Sequence, residues 1–206
     1  MKYVSHLDMN RYIPRLIKVS KIPAWHTEGF NKHLYLTFAL PLSLGITSEY
    51  DTFDIKITDD SFTNEMILDS VKKNAAEGVE FFDCTDVLTK ATELKFAQFK
   101  INISDSDKEL LIAFQKMMKS NIILAIKKGK KGKITEINLA EKIKKLDFIN
   151  NDDASLVIDV ILPAGNEENI NPTLFVDAFC AVGNRRPEFV TIQRGLLYTS
   201  DMEVFR

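Results

Sequence analysis

The feature that most constrains this chain is the alternation of two hydrophobic periods along it. Runs in which every second residue is apolar, as in half-buried strands, are interleaved with runs at helical spacing. Leu34, Leu36, Phe38 and Leu40 alternate with Tyr35, Thr37 and Ala39, and Pro41 ends the run. Phe53, Ile55 and Ile57 face one way while Asp54, Lys56 and Thr58 face the other. Ahead of them, Met9, Tyr12, Ile13, Leu16 and Ile17 follow helical spacing, with Asp8 as the expected N-cap. Pro14 predicts either a kink or a helix that starts near Ile13, because an interior proline removes a backbone donor. Asp59, Asp60 and Ser61 cap a helix expected over 62–76, Gly78 follows it, and 79–88 reads as a further strand.

The second half repeats this order loosely. A strand is expected over 94–104, then a helix capped by Asp105 or Asp107 that carries Leu110, Leu111, Phe114, Met117 and Met118. Residues 121–128 and 133–138 read as a hairpin whose tip runs from Gly129 to Gly132. A short helix near 139–146, a strand over 155–162, a helix over 172–182 opened by Pro172, and a last strand over 189–198 complete it. With a strand or strand stub at its start, the first half follows a β-α-β-β-α-β order, which the second half repeats loosely. The predicted fold is therefore α+β, with two ferredoxin-like units packed together, residues 1–90 and 91–206, the second carrying a basic hairpin. A chain of 206 residues that is 45% hydrophobic needs no disulfide or metal to hold a core. Cys84 and Cys180 are read as free thiols. No apolar run approaches the roughly 20 residues of a membrane span. The expected location is the cytoplasm.

The net charge of −2 is an average over uneven segments. Residues 1–33 carry Lys2, Arg11, Arg15, Lys18, Lys21 and Lys32 against Asp8 and Glu28, a net +4. Residues 127–145 carry eight lysines against Glu136 and Glu141, a net +6, so the rest of the chain is acidic. Segregated charge can present a local field to phosphates although the total is near zero. Arg11, Arg15 and Lys18 recur at i, i+4 and i+7 and predict one basic stripe. Lys127, Lys128, Lys130, Lys131 and Lys133 predict a second basic surface. The competing reading of both is an ordinary solvated face.

Ser5, His6, Asp8 and Arg11, with Asn31 and His33 some twenty residues on, are the strongest cluster of chemistry-bearing side chains. If the fold unites them, two imidazoles, a carboxylate and an arginine could move protons or bind phosphate. The alternative is that His6 and His33 are satisfied separately at the entries to a helix and a strand. No zinc spacing, phosphate loop or nucleophile elbow is present, and no metal or cofactor is expected. Arg194, inside the apolar run 189–198, either pairs with a carboxylate or faces an anionic ligand.

The stretch from Tyr3 to Arg11, then Glu28-Gly29-Phe30-Asn31-Lys32-His33, then Thr37 to Gly45 and Ser48-Glu49-Tyr50 closely resemble the bacterial DUF2344 family of uncharacterised, radical-SAM-associated proteins. Gln193-Arg194-Gly195 is a weaker echo. The resemblance implies a protein that accompanies, or is fused to, a radical SAM enzyme, with RNA or a ribosomal component as substrate. It brings no established activity. It also implies that the first strand is shortened or missing, since family members usually extend before the position of Met1. The chain has no C-x-x-x-C-x-x-C and holds no radical SAM cluster motif of its own. The leading expectation is a non-catalytic accessory module. The alternatives are a metal-independent ribonuclease using His6 or His33, and a protein adaptor that binds no nucleic acid.

Overall fold

The computed structural model describes residues 2–128, 134–152 and 154–205; for 126–128, 134 and 150–152 it describes the backbone alone. The elements follow in the order α1 (His6–Val19), β1 (Leu36–Phe38), β2 (Ile46–Ser48), β3 (Phe53–Ile55), α2 (Asn64–Asn74), β4 (Phe96–Ser104) and α3 (Lys108–Met118). Then come β5 (Leu124–Lys128), β6 (Ile134–Asn138), β7 (Lys145–Asp152), β8 (Ser155–Pro163), α4 (Thr173–Gly183) and β9 (Phe189–Tyr198). They form a mixed α+β chain of two compact units. One takes in the residues up to Thr47 with Asp51–Glu93, the other Ser48–Tyr50 with Leu94–Phe205.

In the first unit, α1 starts earlier than its periodicity suggests. Ser5, not Asp8, is the N-cap: its hydroxyl accepts the Asp8 N–H while the Asp8 carboxylate reaches back to the Ser5 N–H, a reciprocal capping box. Asp8 is the third helical residue. The helix then runs unbroken past Pro14 to Val19. An interior proline costs roughly 3 kcal/mol, which burial of Ile13, Leu16 and Ile17 offsets. Those three side chains pack with Ile22, Leu34, Ile67 and Val71. The strands are shorter than their alternation predicts. β1 and β3 pair antiparallel over three residues each, Leu36 opposite Ile55 and Phe38 opposite Phe53. Residues 2–5 form no strand, and neither do 79–88. In the latter, the side chains turned to the core are Phe81 and Cys84, three apart rather than two, so the segment does not lie flat against a neighbour.

The second unit is built on strands ordered β9-β4-β8-β7, every neighbour antiparallel. Ile101 of β4 sits between Ile158 of β8 and Ile192 of β9. α3 follows β4, α4 joins β8 to β9, and Phe114 meets Phe179 edge to face with centroids 5.1 Å apart. β5 and β6 pair as a ribbon, Leu124 opposite Asn138 and Lys128 opposite Ile134. The expected tip, with Lys130, Lys131 and Lys133, lies outside the described residues, as do the side chains of Lys127 and Lys128.

The helix expected over 139–146 is instead a single 3-10 turn, Leu139–Glu141, capped by Asn138, and β7 begins at Lys145. Leu139, Ile143 and Leu146 imitate helical spacing. The period-two pattern of Leu146 and Phe148 half-buried against exposed Lys145 and Asp147 wins because it lets the segment complete the sheet edge beside β8.

A buried carboxylate ties the segment before α3 to the segment after α4. Asp105 accepts both terminal nitrogens of Arg185, at 2.5 and 2.7 Å, and the Asp107 N–H at 3.0 Å. The Arg185 guanidinium, in charge-assisted bidentate contact, holds the Asp105 carboxyl down at about 2. Because this lies below the ordinary value of 3.8, the contribution is complete above about pH 4 and is lost as pH falls towards 2. The Arg185 side chain is 41% exposed, so Asp105→Ala should cost about 2 kcal/mol, less than a fully buried pair. In denaturant titrations, the gap between wild type and variant should close between pH 4 and pH 2; a gap independent of pH would contradict this role. At the start of α1, Ser5→Ala should lower stability by about 1 kcal/mol, read as a shifted midpoint with an unchanged slope.

Candidate nucleic-acid interface

The partition of α1 sets its outer surface. With Ile13, Leu16 and Ile17 turned inward, helical geometry leaves Arg11, Arg15 and Lys18 exposed on the outside, as their spacing predicts. Arg11 Nη1 lies 3.9 Å from Asp8 Oδ1 in a solvent-exposed pair of little energetic weight. No described acidic side chain lies within ion-pair distance of Arg15 or Lys18. Asp8 itself is committed to the cap: the Ser5 hydroxyl, then the Ser5 N–H, and least the Arg11 charge pull its carboxyl below the usual carboxylate value.

In the second basic segment, the three lysines with described side chains are engaged. Lys142 Nζ is 2.7 Å from Glu168, Lys145 Nζ is 2.9 Å from Asp147, and Lys144 Nζ stands 5.1 Å from the Phe96 ring centroid. These three are held by a carboxylate or a ring of their own unit, which reduces their share of the field that the count of +6 suggests.

The two histidines singled out in the sequence are held by separate partners. Asn10 Nδ2 lies 2.8 Å from His6 Nε2 and donates to the His6 carbonyl at 2.9 Å, while the His6 ring meets Phe38 edge to face at 5.1 Å. His33 Nδ1 donates to the Asn31 carbonyl at 3.0 Å and lies 3.1 Å from Thr27 Oγ1. Among the described residues no hydrogen bond, ion pair or ring contact joins His6 or Asp8 to His33. The described residues also contain no cluster of three His, Cys, Asp or Glu side chains able to hold a metal. Burial first, then the Asp83 and Asp86 charges, push the Cys84 thiol up, the reverse of an activated nucleophile. Arg194 is 2% exposed in β9 opposite Phe99, closed off from the exposed set. Its carbonyl accepts the Glu49 N–H at 3.2 Å, and neighbouring Gln193 donates to Glu49 at 2.6 Å.

Residues 24–35 form a feature that the alternation pattern does not announce. His26 bridges Leu34, the Thr27 N–H donates to the His33 carbonyl at 2.8 Å, and Trp25 meets Tyr35 edge to face at 5.7 Å. The result is a short two-armed finger whose outer residues 28–33 are all exposed. A phenylalanine at 30 between turn-forming Gly29 and Asn31 was the available signal.

No described helix is long and apolar enough to cross a membrane. No curated protein matches the chain. Among solved structures, a chain in the crystal structure of a Cbf5-Nop10-Gar1 complex is similar, at 7% identity and a TM-score of 0.48. The similarity covers 93% of this chain and 45% of that one. The family DUF2344, described as an uncharacterized protein conserved in bacteria, matches residues 1–172, and the chain belongs to it.

Proposed function

We propose that this DUF2344 protein is a non-catalytic accessory module that recognises RNA or a ribosomal substrate on behalf of a radical SAM partner. The observation that carries the reading is the exposed row Arg11, Arg15 and Lys18 on a helix whose opposite face is anchored in the core. Three cations on a rigid rod, of which Arg15 and Lys18 have no described ion-pair partner, suit a phosphate backbone, which supplies most of the affinity in sequence-tolerant nucleic-acid binding. The separate local bonds of His6 and His33 favour recognition over proton transfer. The radical SAM partner is carried by the family resemblance alone. The second unit fits a ferredoxin-like plan, because β4, α3, β7, β8, α4 and β9 follow the β-α-β-β-α-β order with β4 and β8 central. The first unit fits a reduced version of it, and the proposed domains remain 1–90 and 91–206.

The test is equilibrium binding to single-stranded RNA between 50 and 200 mM salt, by fluorescence anisotropy. Wild type should weaken steeply as salt rises. Replacing Arg11, Arg15 and Lys18 together by glutamine should flatten the plot of log affinity against log salt by roughly 2, about 0.7 for each phosphate that is no longer neutralised. Salt-insensitive binding, or none while a radical SAM protein still co-purifies, would replace this reading with a protein adaptor. RNA cleavage abolished by removing His6 or His33 would replace it with a nuclease.

A further inference from the structure

We infer that the finger formed by residues 24–35 stacks an unpaired base of single-stranded RNA on the Phe30 ring. This rests on the RNA reading above and adds the side chain that meets the base.

Phe30 is 110% exposed, so its ring stands clear of the protein on every side. The finger beneath it is nonetheless ordered by its own bonds. Its root is fixed where Ala24 bridges Ile57, the Trp25 N–H donates to the Lys56 carbonyl at 2.7 Å, and Leu34 is buried in the core. Higher up, Thr27 Oγ1 accepts the His33 N–H at 3.2 Å, and His33 Nδ1 donates to the Asn31 carbonyl. Gly29 turns the tip at φ +115°, a conformation that other residues rarely adopt, with open space where a Cβ would stand. The ring is therefore presented by a braced turn.

The surroundings decide what the ring is for. An aromatic that anchors a protein interface is ringed by neighbours that exclude water and sits in a desolvated patch. Phe30 has instead Glu28, Asn31, Lys32 and His33 beside it, all exposed and polar. A nucleobase needs only the flat face of one ring, and Lys32, two residues on in the same exposed tip, supplies a cation for the adjoining phosphate. A second aromatic, Tyr35, is 48% exposed farther down the same arm, against Trp25, with Lys56 Nζ 5.2 Å from the Trp25 ring centroid. Aromatic rings interleaved with cations are the composition of a single-strand platform. The finger also starts five residues after α1 ends, so the phosphate-binding row and the stacking ring belong to one continuous stretch of the first unit.

The experiment compares a single-stranded oligouridylate with an RNA duplex of the same length, using the full chain. Phe30→Ala should weaken oligouridylate binding about 5- to 100-fold, leave the salt slope as in wild type, and leave duplex binding unchanged. Phe30→Trp should restore the affinity. In a Trp25→Phe background, where Trp25 is the sole native tryptophan, the new indole at the tip should be quenched by the oligonucleotide. Thermal melts followed by circular dichroism should overlay, since the ring packs on nothing. If wild type binds with a steep salt slope and Phe30→Ala binds equally well, the stacking role is overturned and the RNA reading stands. If wild type binds neither RNA, both fall. If Phe30→Ala keeps its RNA affinity but loses a co-purifying protein, the finger is a protein-docking element and the inference is wrong.

Discussion

The anchoring of one face of α1 is the constraint from which the exposed charged row follows. Ile13, Leu16 and Ile17 are buried among Leu34, Ile67 and Val71, and that packing sets the rotation of the helix about its axis. Once the rotation is set, a period of 3.6 residues puts Arg11, Arg15 and Lys18 outward. The capping box at Ser5 and Asp8 starts the helix one turn before its apolar run and satisfies N–H groups at its free end. Core packing, capping and the charged row are thus one arrangement, in which the same spacing serves the interior and the exterior.

Around this helix the first unit is economical. Two three-residue strands and α2 complete its core, and the remaining chain is spent on the finger and on the irregular segment 79–88. The second unit is the more regular, with the nine-residue β4 and β8 at its centre and the ten-residue β9 beside them. The Asp105–Arg185 pair ties the segment that leads into α3 to the segment after α4.

Elements with an uninterrupted pattern were legible in the sequence. The strand over 189–198 lies at Phe189–Tyr198 as its apolar run suggests, and Pro172 does open α4, at the N-cap rather than in the first turn. Legibility failed where two patterns overlap. Leu139, Ile143 and Leu146 satisfy helical spacing, yet the neighbouring strand β8 offers ladder hydrogen bonds that a local pattern cannot register. Residues 79–88 alternate loosely but have no partner strand. At the site, the outward row was readable because helical spacing alone dictates it. The separate bonding of His6 and His33 was not, since it depends on Asn10, Phe38 and Thr27 reaching them first. Phe30 was hidden among hydrogen-bonding neighbours, where one aromatic gives no periodic signal.

The proposed nucleic-acid interface lies on the first unit, so its most direct test is photochemical crosslinking of the full chain to single-stranded RNA, with adducts mapped by mass spectrometry. Adducts concentrated on peptides spanning α1 and residues 24–35, disappearing together at high salt, are the expected result. Adducts confined to residues 94–205, or none under conditions where RNA is bound, would contradict it.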